Sequence, residues 1–181
     1  MTESDRIKIF NKEMTCCIPH LINADTIEFL IKAGFFKKPA SVNHHGNYEG
    51  ALFDHSLAVV KNLLFLTEKL GLKWSRPESP YVVGMFHDLC KIDDYVKNSY
   101  TGEWEYAKDK FLPGHGDKSV IMIQMLLGIQ LTIEEFHCIR WHMGAFDDKE
   151  NWGYYSSAVA DFPNVLYTHT ADMIASQIEK I

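Results

Sequence analysis

Five short stretches hold the residues best suited to chemistry: Asp54-His55-Ser56, Phe86-His87-Asp88-Leu89, Gly114-His115-Gly116-Asp117-Lys118-Ser119, Arg140-Trp141-His142-Met143-Gly144 and Thr170-Ala171-Asp172. Each sets a His or an Asp within an expected helix or at its start, and four of the five lie among apolar neighbours. His87 and Asp88 follow Val82-Val83-Gly84-Met85-Phe86, where an unpaired carboxylate would be costly to bury. A bound cation removes that cost. Imidazole nitrogen together with carboxylate oxygen suits divalent iron, manganese, zinc, cobalt or nickel. Taken singly, His55 or His142 reads better as a packing residue than as a ligand. The near-regular spacing of the set changes that reading, because each gap leaves room for one helix and its connection, as a metal site in a helical bundle requires.

The elements needed to position these residues are legible in the apolar spacing. Ile7 to Met14 reads as a short helix, and Asn23 to Ala33 as a second, capped by Asn23 or Asp25 and stopped by Gly34. Lys37 to Gly50 reads as a loop. From Ala51 to Leu70, Leu52, Leu57, Val60, Leu63, Leu64 and Leu70 recur at helical spacing, and Gly71 ends the element. Pro77 to Ile92 is expected as one helix. Residues 95 to 107 alternate as a small β-hairpin or an extended loop would. Helices resume over His115 to Leu127 and over Ile133 to Met143. The second of these opens on a capping box, Thr132 with Glu135. A short helix over Tyr154 to Ala160 and a long one over Asn164 to Lys180 complete an all-α expectation. No repeat, low-complexity tract or Pro/Gly-rich linker divides the chain, so one domain over 1–181 is expected, with N-terminal helices over 1–36 and a core over 40–180.

The order of these residues resembles that of the HD superfamily of metal-dependent phosphohydrolases, in which a His, an adjacent His-Asp pair and a distal Asp stand on successive helices. Here they are His55, His87-Asp88 and Asp172. His44-His45-Gly46, leading to Gly50-Ala51-Leu52-Phe53-Asp54-His55-Ser56, is similar to the loop and helix that open many HD hydrolases. Lys91, three residues after Asp88, stands where that family often has a lysine. The likeness covers roughly residues 40 to 180. It implies a single HD-domain helical bundle holding one or two divalent transition metals. One metal would use His55, His87, Asp88 and Asp172. A second, as in some branches, would use Asp88, His115 and His142, with Asp88 bridging. Metal-activated hydroxide would then cleave a phosphate ester of a nucleotide or short phosphodiester.

Around those ligands, Lys91 and Lys118 are candidates to touch a substrate phosphate, since each shares a helix face with a candidate ligand histidine. Arg140 reads more simply as the partner of a surface carboxylate. Asp117 is a weaker candidate, for orienting a ligand or acting on a leaving group. His20, His137 and His169 read as surface or packing residues, while His44 and His45 either line the mouth of the site or only shape a loop. Core packing accounts for most of Trp104, Tyr106, Trp141, Trp152, Tyr154 and Tyr155, and Asp147-Asp148-Lys149-Glu150 reads as a solvated loop.

Two other enzyme classes share this pattern. HD-fold di-iron oxygenases use the same six ligands on small polar substrates, and the stretch from His44 to Ser56 also resembles the HD domain of certain bacterial 3′-to-5′ exoribonucleases. A degenerate HD domain that binds a nucleotide as a sensor is a third class, which the full ligand set disfavours. The Gly-Tyr-Pro signature of the cyclic di-GMP branch is absent, which speaks against that substrate.

Composition narrows the field further. The chain has 181 residues, 46% hydrophobic and 23% charged, the balance of a folded globular domain. A net charge of −6 argues against a broad nucleic-acid footprint but leaves room for a local basic pocket. Cys16, Cys17, Cys90 and Cys138 form neither a zinc knuckle nor a disulfide framework. The opening residues lack a signal-peptide pattern. The longest apolar run, Val120 to Gly128, is broken by Gln124 and too short for a bilayer. No membrane and a cytoplasmic location are therefore expected, and the HD resemblance implies a small phosphorylated partner.

Overall fold

Helix α3 (Ala51–Leu70) is the axis on which the rest is built. Ala51, Leu52, Phe53 and the run His55–Val60 are all buried, so this half of the helix is enclosed on every side. A computed structural model describes residues 1–43 and 46–181. In it the chain runs through α1 (Glu3–Cys17), α2 (Ala24–Ala33), α3, α4 (Ser79–Phe86), α5 (Lys91–Asp94), strands β1 (Tyr95–Lys97) and β2 (Trp104–Tyr106), α6 (Gly116–Leu126), α7 (Ile133–Arg140), α8 (Trp152–Asp161) and α9 (Asn164–Met173). Among the described residues the fold is all-α apart from that antiparallel hairpin, in which Tyr95 pairs with Tyr106. No helix among them is long and apolar enough to cross a membrane.

The N-terminal helices are tied to α3 by aromatic packing and one ion pair. Phe10 of α1 meets Phe35, Phe36, Phe53 and Phe86 at centroid distances of 5.4–6.5 Å, mostly edge to face. Such pairs add to the stabilisation from burying the rings themselves. Arg6 grips Asp54 in a two-pronged pair, Nε to Oδ1 at 2.9 Å and Nη2 to Oδ2 at 2.8 Å. α1 is longer than its apolar spacing predicts, because Thr2 and Asp5 form a capping box one turn earlier.

Two expected helices are interrupted, both at the site. The single helix predicted over Pro77–Ile92 leaves α-geometry after Phe86. Leu89, Lys91, Ile92 and Asp93 instead donate to the carbonyls three residues back, Phe86, Asp88, Leu89 and Cys90, at 3.0–3.1 Å. This tighter winding brings His87 and Asp88, neighbours in sequence, to face the same space. The long C-terminal helix likewise passes into a π-turn over Ile174–Ile178 directly after Asp172 and Met173. α7 stops at Arg140, short of the predicted Met143, and the chain turns there to present His142.

The close approach of α4 to α3 depends on a glycine. A Cβ on Gly84 would lie 2.8 Å from the backbone of Val60, so α4 rests directly against α3. Gly84→Ala is expected to destabilise the protein by about 1–3 kcal/mol, the cost of overpacking a filled core. Urea denaturation measures it, and a midpoint equal to wild type would mean that the helices separate freely.

Candidate metal centre

The elements above converge on one cluster. His55 comes from the enclosed half of α3, His87 and Asp88 from the tight turn after α4, His115 from the start of α6, His142 from the turn after α7, and Asp172 from the end of α9. Side-chain atoms fall into three groups close enough to share a metal ion: His55 with His87 and Asp172, His87 with Asp88 and His142, and Asp88 with Cys90 and His115. Asp88 stands in two of them. Its Oδ1 is 2.9 Å from His115 Nε2 and 3.5 Å from His142 Nε2, and its Oδ2 is 3.5 Å from His87 Nε2 and 3.7 Å from His55 Nε2. His55 Nε2 also lies 3.1 Å from Asp172 Oδ1.

The hydrogen bonds on the far side of each ring say what the inner nitrogens are. His87 Nδ1 meets the Gly84 carbonyl at 2.9 Å, and His142 Nδ1 meets the Ile139 carbonyl at 2.7 Å. A carbonyl can only accept, so both rings carry their proton on Nδ1 and donate it. His55 Nδ1 is placed in the same way, 3.1 Å from the main-chain oxygen of Ile181. The inner Nε2 atoms therefore present lone pairs. His87 Nε2, His142 Nε2 and Asp88 Oδ1 are buried with no hydrogen-bond partner, and His115 approaches Asp88 Oδ1 closely but off the hydrogen-bonding direction. A cation in their midst would offset the cost of burying such acceptors face to face. The donor set fits a divalent transition metal, with outer hydrogen bonds of the kind that orient metal-binding histidines.

Electrostatics agree for the two carboxylates and His142. At His87 and His115, by contrast, burial is outweighed by neighbouring charge, Asp88 at His87 and Cys90 with Asp88 at His115, and their pKa rises. Burial pushes the Asp88 carboxyl up, but the Lys91 ammonium and the surrounding imidazoles outweigh it and hold the group well below the ordinary carboxylate range. Asp172 is likewise held low: burial opposes its charge, and the neighbouring His55 and His87 overcome this. Burial lowers the pKa of His142 and keeps its inner lone pair free of a proton.

No family model, curated protein or solved structure matches this chain. The reading of the site therefore rests on its own geometry.

A cavity of about 610 Å³ opens onto the cluster, lined by His55, Asp88, Lys91, His115 and Asp172 together with Tyr95, Tyr106, Met143, Phe146 and His169. Lys91 stands at the cavity wall, with Nζ 2.6 Å from Asp88 Oδ2. Lys118 does not. It is fully buried and held by Asp93 at 2.6 Å and Asp94 at 2.9 Å, and it is absent from the cavity wall. The adjacent carboxylates of α5 claim its ammonium and make it a tie between α5 and α6.

Arg140 pairs with Asp117 and, at 2.7 Å, with Asp147, as a residue serving carboxylates should. Asp117 is thus engaged by Arg140 and exposed. Asp147, expected in a solvated loop, is largely enclosed and also accepts from Asn151 at 2.9 Å, closing the turn that follows His142. His137 packs flat on Phe162 and His20 is exposed. His44 and His45 lie outside the described residues.

Two neighbours of the site escaped the sequence reading. His169, expected as a surface or packing residue, lines the cavity and places Nδ1 2.8 Å from the His142 carbonyl. Its position three residues before Asp172 on one helix was the available signal. Cys90 lies with Sγ 3.3 Å from His115 Nδ1, a contact that sequence spacing cannot announce.

Proposed function

We propose that this chain is a metal-dependent phosphohydrolase of the HD type, cleaving a phosphate ester of a nucleotide or short phosphodiester. The observation that carries the proposal is the set of buried, unpartnered inner atoms on His87, His142 and Asp88, whose outer hydrogen bonds fix the rings as ligands. His55, His87, Asp88 and Asp172 would hold one divalent metal, and Asp88, His115 and His142 a second. A metal bound there would supply a Lewis acid and a water acidified enough to act as nucleophile near neutral pH.

The chain's own residues account for the rest. Burial opposes a charged Lys91, but Asp88 more than offsets this and raises its pKa, so the ammonium persists. From the cavity wall it can donate to a phosphoryl oxygen and balance the charge that grows there. Tyr95, Tyr106, Met143 and Phe146 give the cavity an apolar wall against which the organic part of an ester can rest.

The test is release of phosphate, or of a nucleotide from a diester, by protein loaded with manganese, iron, cobalt, nickel or zinc, against a panel of nucleoside monophosphates and short diesters. Turnover of one member, lost on chelation, is expected. No turnover by metal-loaded protein would overturn the reading, and oxygen uptake by the iron form would replace it with oxidation on the same ligands. Lys91→Met is expected to lower kcat/KM about 10²-fold, the scale of losing one transition-state donor, with metal content retained. An unchanged kcat/KM would remove Lys91 from substrate binding.

A further inference from the structure

Each histidine of the cluster is oriented from behind, but not by the same kind of atom. His55, His87 and His142 direct Nδ1 at main-chain oxygens. His115 directs Nδ1 at the thiol of Cys90, 3.3 Å away. His115 is also the least enclosed of the four, with 31% of its side chain exposed against 4% or less for the others. It stands at the start of α6 and makes no side-chain cap to that helix. Its ring also lies beside that of His142, with centroids 5.0 Å apart.

The thiol is held in place for this contact. Cys90 is fully buried, and its N–H donates to Ser119 Oγ at 3.1 Å. Ser119 in turn donates its own N–H to the His115 carbonyl at 2.9 Å. One buried serine thus fixes the backbones of both partners. On the opposite edge of the ring, Nε2 faces Asp88 Oδ1, which is buried and without a hydrogen bond.

We infer that Cys90 is a positioning residue for His115: its sulfur accepts the Nδ1 proton and turns Nε2 toward Asp88 and the metal held there. The inference rests on the metal-centre reading and deepens it. Cys90 fills the orienting role that carbonyls fill for the other rings, without itself being a ligand. Sulfur is a weak acceptor, so the restraint is softer and more replaceable than a carbonyl.

The experiment is Co²⁺ titration of the whole chain, followed by visible absorption. The relevant step is the one that His115→Ala abolishes. In Cys90→Ala its affinity is expected to fall about 10–100-fold, the usual cost of losing an outer partner of a ligand. Cys90→Ser, whose hydroxyl can accept the same proton, is expected to restore most of it. An unchanged affinity in Cys90→Ala overturns the inference, and so does failure of Cys90→Ser to recover, which would make the role one of packing. A sulfur-to-cobalt charge-transfer band in the wild-type protein overturns it too, by making Cys90 a ligand.

A second measurement needs no variant: in zinc-loaded wild type, ring ¹⁵N spectra should show His115 protonated at Nδ1 and not at Nε2. The reverse tautomer refutes the orientation proposed. Wild-type metal uptake with His115 in the reverse tautomer sinks this inference alone, whereas no uptake by wild type sinks the metal centre with it.

Discussion

Asp88→Asn is expected to strip the site of metal and to cost at least about 10²–10³-fold in any metal-dependent turnover, the scale on which a preorganised charge contributes to a transition state. The substitution keeps the volume of the side chain and removes only its charge. Asp88 is singled out because its two oxygens face four histidines: His115 and His142 across Oδ1, and His87 and His55 across Oδ2. Among the described residues, Asp172 pairs with His55, at 3.1 Å, and His87, at 4.0 Å. Asp172→Asn should therefore weaken metal at the His55 side and leave the His115 side loaded. Elemental analysis of the two variants beside wild type makes the comparison. Full metal content in Asp88→Asn would show that the carboxylate is not shared between positions, and the arrangement proposed for the centre would fail.

The largest expected effect on stability lies away from the cluster, at Glu135. This carboxylate is fully buried. Oε1 accepts from Arg76 Nε and from Ser79 Oγ, both at 2.8 Å, while Oε2 accepts from Arg76 Nη2 at 2.7 Å and the Thr132 N–H at 2.9 Å. Every lone pair of the group is used, and the fork of Arg76 matches it prong for prong. Glu135→Ala would leave the guanidinium, a buried hydroxyl and a backbone N–H without their acceptor. The expected loss is about 3–5 kcal/mol, the cost of breaking a buried pair from one side. Chemical denaturation of the metal-free protein measures it. A loss below about 1 kcal/mol would mean that Arg76 finds solvent and that the pair is no more than a surface bridge. Because α7 also supplies the Ile139 carbonyl that orients His142, a destabilised α7 should loosen metal binding as well.

Glu135 shows how far the sequence could be read. Thr132 and Glu135 announced a capping box from spacing alone, and the structure has it. That Arg76, far away in sequence, completes the same carboxylate was invisible, since ion pairs between distant elements leave no periodic trace. Helix α3 was legible from Ala51 to Leu70 because apolar residues at helical spacing and a closing glycine are local signals. The helix expected across His87 and Asp88 was misjudged for the opposite reason. Its apolar residues continue in helical rhythm, while the tightening there answers to packing and to the site. The two lysines make the same point. Both stand close in sequence to a candidate ligand histidine, yet only Lys91 reaches the cavity, because Asp93 and Asp94 intercept Lys118.

The sequence by itself determined that the protein is helical and which His and Asp residues are set apart among apolar neighbours. Periodicity, capping and the cost of an unpaired buried carboxylate are written into short stretches of chain. Only the tertiary structure decided that these residues meet, with Asp88 at their centre and the inner nitrogens of His87 and His142 left as bare lone pairs. It also decided what stands behind each ring, three main-chain oxygens and one thiol. A ligand's orientation is set by atoms that approach it from other elements, and those approaches are fixed by packing rather than by order along the chain.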